Sequence, residues 1–545
     1  MARGLRWIAL FAAVSPIHSE PLSYNRDIAP LVARYCTPCH RPGESGPFPL
    51  LTYEDVSKRA EQIAAVTRRR YMPPWLPEHG YGDFAGELRL TDRQIAAITD
   101  WVAQGAPRGE GEREGAPAAM ESLRGKPDLV VRAEHPFTVP ASGDDVYWNF
   151  VFRPAIEKSH YVRAVEIDPG SRAVVHHANL LVDRMASQPS AGFPGMDLAI
   201  MRSPFDPDES FLFWKPGNAL HVEPDGFAWR LDPRNELVLN VHMHPSGKPE
   251  QVQPSVAIYF TDHAPSRFPL LVQLENDNVL DIPAGARDFI VADDFRVPLD
   301  ADVLAVYPHA HYLGELLEAY ATLPDGSRKW LVRIPDWDPN WQAVYYYREP
   351  VFLPKGSTIS MRYHYDNSAA NVRNPNHPPR RVTAGNQSID EMAHLWLQVL
   401  PRGAGDHRRE LQEAVMQHRL AKDPNDFTAR MNLGALMLSR LKPQEAAGML
   451  EAAVKIDPGR VEARNMLGLA LVQTGRVREA AGEFSLAVKA NPDFFSARAN
   501  LAAVELKLGA FDDAIANLKI LAAAQPENET IRKRLAEAIE ARSIR

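Results

Sequence analysis

Tyr307-Pro308-His309-Ala310-His311-Tyr312-Leu313-Gly314 follows an apolar run, residues 303–306, and reads as a strand continuing into a site. Side chains alternate faces along a strand, so His309 and His311 point the same way. Two imidazoles on one face of a rigid strand make half of a metal site. Two solvated surface histidines would show the same pattern, so the flanking chain has to be read with it.

Working outward, residues 127–402 are short β-rich runs punctuated by turns: Asp168-Pro169-Gly170, Pro224-Asp225-Gly226, Pro324-Asp325-Gly326 and Pro354-Lys355-Gly356. No long helical period interrupts them. The pattern predicts two β-sandwich domains, residues 127–265 and 266–402. Eleven of the 18 histidines fall between His176 and His394. His176 and His177 are neighbours after two valines, so both can reach one metal only if the strand ends or bulges there. His242 and His244 share a face at the end of another apolar run. Met392, in Asp390-Glu391-Met392, offers a thioether to the pair His309 and His311. Two imidazoles and a thioether form a partly soft donor set that favours copper, above all Cu(I), and leaves a position open for oxygen. The chain has two cysteines, Cys36 and Cys39, so no thiolate remains for a blue-copper site. Glu391-Met392-Ala393-His394 matches one Glu-x-x-His, but the di-iron fold needs two on a helical bundle.

Taken together, His176-His177, His242 in a β run, His309-x-His311-x-x-Gly314 and Asp390-Glu391-Met392 resemble the copper type II, ascorbate-dependent monooxygenases, which include the peptidylglycine α-hydroxylating and dopamine β-monooxygenases. The resemblance covers about half of the chain. It implies two jelly-roll-like domains, each holding one copper, across a solvent cleft. It implies His176, His177 and His242 as ligands of the first copper, and His309, His311 and Met392 as those of the second; His244 is left out. It also implies the chemistry: the thioether copper binds oxygen and substrate and abstracts hydrogen from a C–H bond, while the three-histidine copper stores the second electron. Where peptide-amidating relatives carry a polar Asn and Tyr after the Met, this chain has His394 and Trp396, which speaks against a peptide carboxylate as substrate.

Towards the N-terminus, Cys36-Thr37-Pro38-Cys39-His40 is CxxCH. Two thiols three apart can form thioethers to the vinyl groups of haem, and the adjacent imidazole reaches the iron. A redox dithiol has no use for His40, and a zinc site needs a second ligand pair. Ile28, Leu31, Val32 and Tyr35 recur at helical spacing before the motif. Thr91 caps a second helix carrying Ile95, Ile98 and Val102. Residues 20–108 are therefore expected to form a small all-α, cytochrome c-like domain. Met72 is the candidate sixth ligand and His79 its rival. Residues 109–126, rich in Gly, Glu and Arg, read as a linker. Residues 1–19 read as an export signal, with Arg3 and Arg6 before a short apolar core. That core is too short for a permanent anchor, so an exported, periplasmic or extracellular protein without an integral membrane segment is expected.

At the other end, Pro424, Pro458, Pro492 and Pro526 are 34 residues apart. A 34-residue period ending in Pro is the tetratricopeptide signature. Leu433-Gly434, Leu467-Gly468, Leu501-Ala502 and Leu535-Ala536 recur in register, and Ala446, Ala480 and Ala514 mark the close crossing of each helix pair. Residues 405–545 are thus expected to form an α-solenoid that grips a protein partner.

The 545 residues carry a net charge of −8, with 24% charged and 45% apolar, which gives no electrostatic case for nucleic acid. The whole reads as a copper-dependent monooxygenase using O2, two copper ions and one haem c. The fused haem, fed by an external donor, would stand in for ascorbate, and the substrate would be a small organic molecule or a peptide. The alternative is an exported electron-transfer or copper-holding scaffold that recruits a partner through its repeats.

Overall fold

The computed structural model describes residues 21–42, 44, 46–111, 125–143, 145–184, 192–195, 210–216, 220–385 and 387–543. The expected export signal, residues 1–19, and residues 112–124 of the expected linker lie outside the described residues. The chain divides into two compact units. The smaller comprises Met1–Pro42, Gly46–Trp75 and Leu88–Met120, and the larger comprises the rest.

In the smaller unit, a π turn at Tyr24–Ile28 runs into the helix Ala29–Tyr35, followed by helices Tyr53–Ser57, Ala60–Arg68 and Asp92–Ala103. The last starts where Thr91 and Gln94 cap each other reciprocally, which satisfies two otherwise orphaned N–H groups. Ile28, Val32, Ile63, Ile98 and Trp101 close one apolar core. Trp101 Nε1 donates to the Pro107 carbonyl at 2.9 Å, so the indole is buried without an unmet donor.

The expected domain 20–108 is not continuous. Leu76–Glu87 belongs to the larger unit. There the Ala85 N–H donates to the Tyr346 carbonyl at 2.8 Å and Arg348 N–H to Asp83 O at 2.9 Å. Phe84 stacks on Tyr347 at 5.1 Å. Apolar burial of Phe84 and these backbone bonds outweigh sequence proximity to the helices on either side.

The β-rich part has two regions, each with two main antiparallel sheets. In the first region one sheet is ordered Phe193–Pro194, Val146–Phe152, Glu236–Met243, Val175–Asp183, Phe213–Trp214. The other joins Leu129–Arg132, Ser255–Thr261, His160–Asp168 and Leu220–Val222, with Trp229–Leu231 also on His160–Asp168. In the second region one sheet is ordered Leu270–Glu275, His394–Pro401, Ala301–His309, Tyr345–Leu353, and the other Phe289–Arg296, Thr358–Tyr365, Gly314–Thr322, Arg328–Ile334. The histidine-bearing strands lie centrally. Glu236–Met243 is buried along its whole length, and its one mid-strand amide, Asn240, donates to Asn149 Oδ1 at 2.8 Å.

From Arg408 onward the chain is helical to Ser543, in antiparallel pairs. Arg430, Arg464 and Arg498 recur with the period and donate to the carbonyls of Pro424, Pro458 and Pro492 at 2.8, 2.8 and 2.9 Å. Each turn proline thus leaves a carbonyl that an arginine six residues on satisfies. The helix Arg408–Lys422 packs against the second β region. Arg419 pairs with Glu275 at 2.5 Å and Asp426 at 2.7 Å, and His418 and Lys422 both hold Asp293. Among the described residues, no helix is long and apolar enough to cross a membrane.

The repeat packing is tight where Gly468 meets Phe484: a Cβ there would lie 2.5 Å from the ring. The equivalent pair one repeat later is Ala502 and Leu518. Gly468→Ala is expected to destabilise the array by about 1–3 kcal/mol through overpacking, despite the better helix propensity of alanine. Adding Phe484→Leu should recover part of the loss, as read by urea unfolding followed by circular dichroism.

Candidate metal centres

The first centre forms where the two central strands pair out of step. His242 lies opposite His177, but Met243 lies opposite Val175, so His176 is the extra residue of a β-bulge. A bulge re-aims a side chain that regular alternation would turn away, and it brings both neighbouring rings to one side. The ring centroids of His176 and His242 are 5.3 Å apart, and those of His177 and His242 are 4.9 Å apart. His244 joins them, 4.9 Å from His176 and 4.6 Å from His242. The sequence reading left His244 out of the ligand set; the structure makes it a fourth imidazole of this cluster. One donor nitrogen from each of His176, His242 and His244 lies within 4.8 Å of the others.

Asp145 organises the cluster. Its carboxylate accepts from His242 Nε2 at 3.0 Å and from His244 Nδ1 at 2.8 Å. These bonds set the tautomers and leave His242 Nδ1 and His244 Nε2 bare, both buried without a partner. His176 Nδ1 and His177 Nδ1 face each other at 3.3 Å, while His176 Nε2 donates to the Asn340 carbonyl at 3.0 Å. Burial, then the neighbouring imidazoles, pulls His176 down to about 3 and His177 below the ordinary value; burial also lowers His242, against the bond to Asp145. Burial works the other way on Asp145, yet the bonds from His242 and His244 hold its carboxyl far below the usual range. Neutral rings beside a fixed carboxylate are the form that binds a divalent or monovalent soft metal. The donor set therefore fits copper. The ring of Tyr147 lies flat on His242 at 4.3 Å.

The second centre grows from the end of Ala301–His309. The rings of His309 and His311 are 5.3 Å apart. His309 Nδ1 donates to Gln342 Oε1 at 2.8 Å and His311 Nδ1 to the Asp390 carbonyl at 3.1 Å. The Nε2 atoms are left as donors to a metal, and that of His311 is buried and unpartnered. Burial lowers His309 to about 3 and His311 to about 4. Met392 is drawn to this strand end by Glu391, whose carboxylate accepts the N–H of His311, of Leu313 at 2.9 Å and of Met392 at 2.8 Å. Met392 is 7% exposed and stays out of the cleft lining. His394, the cross-strand partner of His309, is engaged by Asp277 at 2.8 Å and Glu275 at 3.6 Å.

The histidines of both sets meet at one cleft, lined by His176, His177, His242, His309 and His311 with Tyr147 and Gln342 among others. The family resemblance implies a solvent gap between the centres; here one side chain, Gln342, reaches both. Asp145, Gln342 and Glu391 escaped the sequence reading as functional residues. Only Glu391 carried a signal, its place in Asp390-Glu391-Met392.

In the smaller unit, Cys36, Cys39 and His40 lie together after the helix Ala29–Tyr35. His40 Nδ1 donates to the Phe48 carbonyl at 3.0 Å, leaving Nε2 for an iron. Loss of water, with Cys39 beside it, pushes the Cys36 thiol up to about 12, the opposite of what a redox dithiol requires. The residues thus fit thioether attachment of haem. Met72 sits just past the helix Ala60–Arg68, its N–H on the Val66 carbonyl at 3.4 Å, and shares no described hydrogen bond with Cys36, Cys39 or His40. His79 lies in Leu76–Glu87 of the larger unit and faces Glu87 at 3.7 Å.

Comparison with known proteins bears on the helical region. A family model for the tetratricopeptide repeat matches residues 438–493 and 465–529. With the 34-residue period and the paired helices, this region is a tetratricopeptide-repeat array, which suggests a protein partner. No curated protein matches the chain. Among solved structures, the chain is similar to MamA, at 22% identity over 25% of this chain and 80% of that one, with a TM-score of 0.24. A second MamA structure matches at 22% identity over 25% and 74%, also with a TM-score of 0.24.

Asp145→Asn should weaken copper binding at the first centre about 10–100-fold and leave the second unchanged, measured by competition with a Cu(I) chelator. A pH effect also follows. Folded His176, His309 and His311 take up protons only near pH 3–4, the unfolded chain near 6.5. Between these values the unfolded state binds more protons, so metal-free stability should fall as pH drops from about 6.5 to about 4. The double variant His309→Gln, His311→Gln should show a shallower slope in urea midpoint against pH.

Proposed function

We propose that the protein is an exported copper-dependent monooxygenase that hydroxylates a C–H bond of an organic substrate with O2, its smaller unit carrying a covalent haem c as electron donor. The observation that carries this reading is the pair of buried, neutral imidazole sets whose bare nitrogens face a single cleft. Two jelly-roll-like domains, His176, His177 and His242 at one copper, and His309, His311 and Met392 at the other, follow from the family resemblance. Copper bound there supplies one-electron redox chemistry and activation of dioxygen at a C–H bond.

The chain's own residues do the rest. Asp145, Gln342 and the Asp390 and Asn340 carbonyls hold the imidazoles in the tautomers that leave a lone pair inward. Glu391 ties the Met392 backbone to that of His311, which supports a place for the thioether in the second set. Tyr147 is kept protonated by burial and can donate to a bound substrate. His394 sits between Asp277 and Glu275, and these acids disfavour a substrate carboxylate. In the smaller unit, Cys36 and Cys39 would form the thioethers and His40 Nε2 the axial bond, with Met72 as the sixth ligand within that unit.

The repeat array favours a second reading, in which the chain is an exported electron-transfer or copper scaffold that recruits a partner. Turnover separates the two. Reduced, copper-loaded protein is incubated with isotopically labelled dioxygen and a panel of small organic substrates and peptides. One labelled atom is expected in an alcohol product, with loss in Met392→Ala and copper retained at the first centre. Absence of label from every product, with both coppers and haem in place, favours the scaffold.

A further inference from the structure

We propose that Glu275, Asp277 and His394 form a further metal site, for a divalent ion of the zinc class, that clips an edge of the ligand-bearing sheet of the second β region. The site shares no ligand with either histidine set and does not depend on the oxygenase reading.

The three side chains come from backbone positions that the fold fixes. His394 begins the strand His394–Pro401, and its carbonyl accepts from the Tyr363 hydroxyl at 2.9 Å. Glu275 ends the edge strand Leu270–Glu275 directly opposite it, and Asp277 opens the 3₁₀ turn Asp277–Val279. Each carboxylate commits one oxygen to the protein and turns the other to the imidazole. Asp277 Oδ1 accepts the Ala393 N–H at 3.2 Å, and Glu275 Oε1 pairs with Arg419 at 2.5 Å. Asp277 Oδ2 then lies 2.8 Å from His394 Nε2, and Glu275 Oε2 lies 3.6 Å from it. A ring nitrogen carries at most one hydrogen, and this one serves Asp277. At 3.6 Å Glu275 is beyond a hydrogen bond from the same atom. A divalent ion does what a single proton cannot, since it binds all three donors at about 2.0–2.2 Å. The three atoms already lie within 4.8 Å of one another.

Charge and donor type agree. Arg419 is divided between Glu275 and Asp426, while Lys422 and His418 hold Asp293. Four carboxylates thus face two permanent cations, Arg419 and Lys422, and the corner can take a divalent ion. One imidazole and two carboxylates, with no sulfur, disfavour Cu(I) and suit zinc with a water in its fourth position. The side chains of His394, Glu275 and Asp277 are 14%, 16% and 29% exposed, so solvent reaches that position. Binding releases the Nε2 proton to water. The ion would join the edge strand, the turn after it and the central strand that pairs with Ala301–His309.

The test loads the full chain with Cu(I) under argon, which fills the soft imidazole and thioether donors first. Excess Zn(II) is then added, loose metal is removed by gel filtration, and both metals are counted. One zinc per chain beyond the copper is expected, with a raised urea midpoint. Asp277→Asn keeps an acceptor for His394 and removes the charge, and Glu275→Gln does the same at the other carboxylate. Each should lose the zinc and its effect on the midpoint while keeping the copper count and the circular dichroism of the unaltered chain; where one variant fails to fold, the other decides. No zinc beyond the copper, or zinc held equally by the variants, overturns the site and leaves a plain ion pair. Bound zinc that does not move the midpoint overturns the clip. Fewer than two coppers, with zinc still dependent on Asp277, overturns the two-copper reading and leaves this site standing.

Discussion

An imidazole taken out of water must lose its charge and have at least one ring nitrogen satisfied. Five of the six histidines of the two centres, all but His177, meet that constraint in the same way. One nitrogen is committed to an acceptor fixed by the fold, and the other is left facing its neighbours. Asp145 serves His242 and His244, the Asn340 carbonyl serves His176, Gln342 serves His309, and the Asp390 carbonyl serves His311. The bare nitrogens are costly in an empty protein, because unmet buried acceptors have no compensation. They become favourable once a metal fills the space between them. The centres therefore sit on central strands, where backbone ladders are strong enough to hold the rings in place without help from an ion.

The strand alternation that pairs His309 with His311, and His242 with His244, was legible because it is local: a period of two needs no knowledge of the rest of the chain. The requirement for a bulge at His176 and His177 was legible for the same reason, as neighbours cannot otherwise share a face, and the register slip at Met243 meets it. The repeats were legible because each unit contacts only the next, so spacing encodes packing directly. Asp145 and Gln342 were not. Asp145 stands 97 residues before His242, and Gln342 33 after His309. Nothing in the composition around either marks it, since its role depends on which sheets pack together. His244 was set aside by analogy with a family, and the geometry of this chain includes it. The place of Leu76–Glu87 in the larger unit was not legible for a related reason: Phe84 stacks on Tyr347, far along the chain.

Glu391 shows how a short motif can be right in position while its reason lies elsewhere. Its match to Glu-x-x-His was set aside for want of a second copy on a helical bundle. Instead the side chain turns to backbone, gathering three N–H groups from His311, Leu313 and Met392. Burial pushes this carboxyl up to about 8, against donors that favour its charge. It extends the ladder between the two strands past the point where regular pairing at His309 and His394 stops. The backbones of Met392 and His311 then belong to one rigid corner, with the acid playing a structural part.

Two cysteines, both in the smaller unit, leave the β regions without covalent cross-links. The ligand-bearing sheet of the second region then depends on what covers its edges, since an open edge strand is both loose and prone to pair wrongly. Its outer strands are Leu270–Glu275 and Tyr345–Leu353. The first repeat helix covers one: Arg419 binds Gln273 and Glu275, and Lys422 Nζ donates to the Glu275 carbonyl. The segment Leu76–Glu87 covers the other, through the backbone bonds of Asp83 and Ala85. Each flanking part of the chain thus closes one edge, and the two strands between them, Ala301–His309 and His394–Pro401, are the ones that begin or end at the second centre. Fusion to the neighbouring parts does for this sheet what disulfides would otherwise do, and it does so at the sheet that carries the second candidate centre.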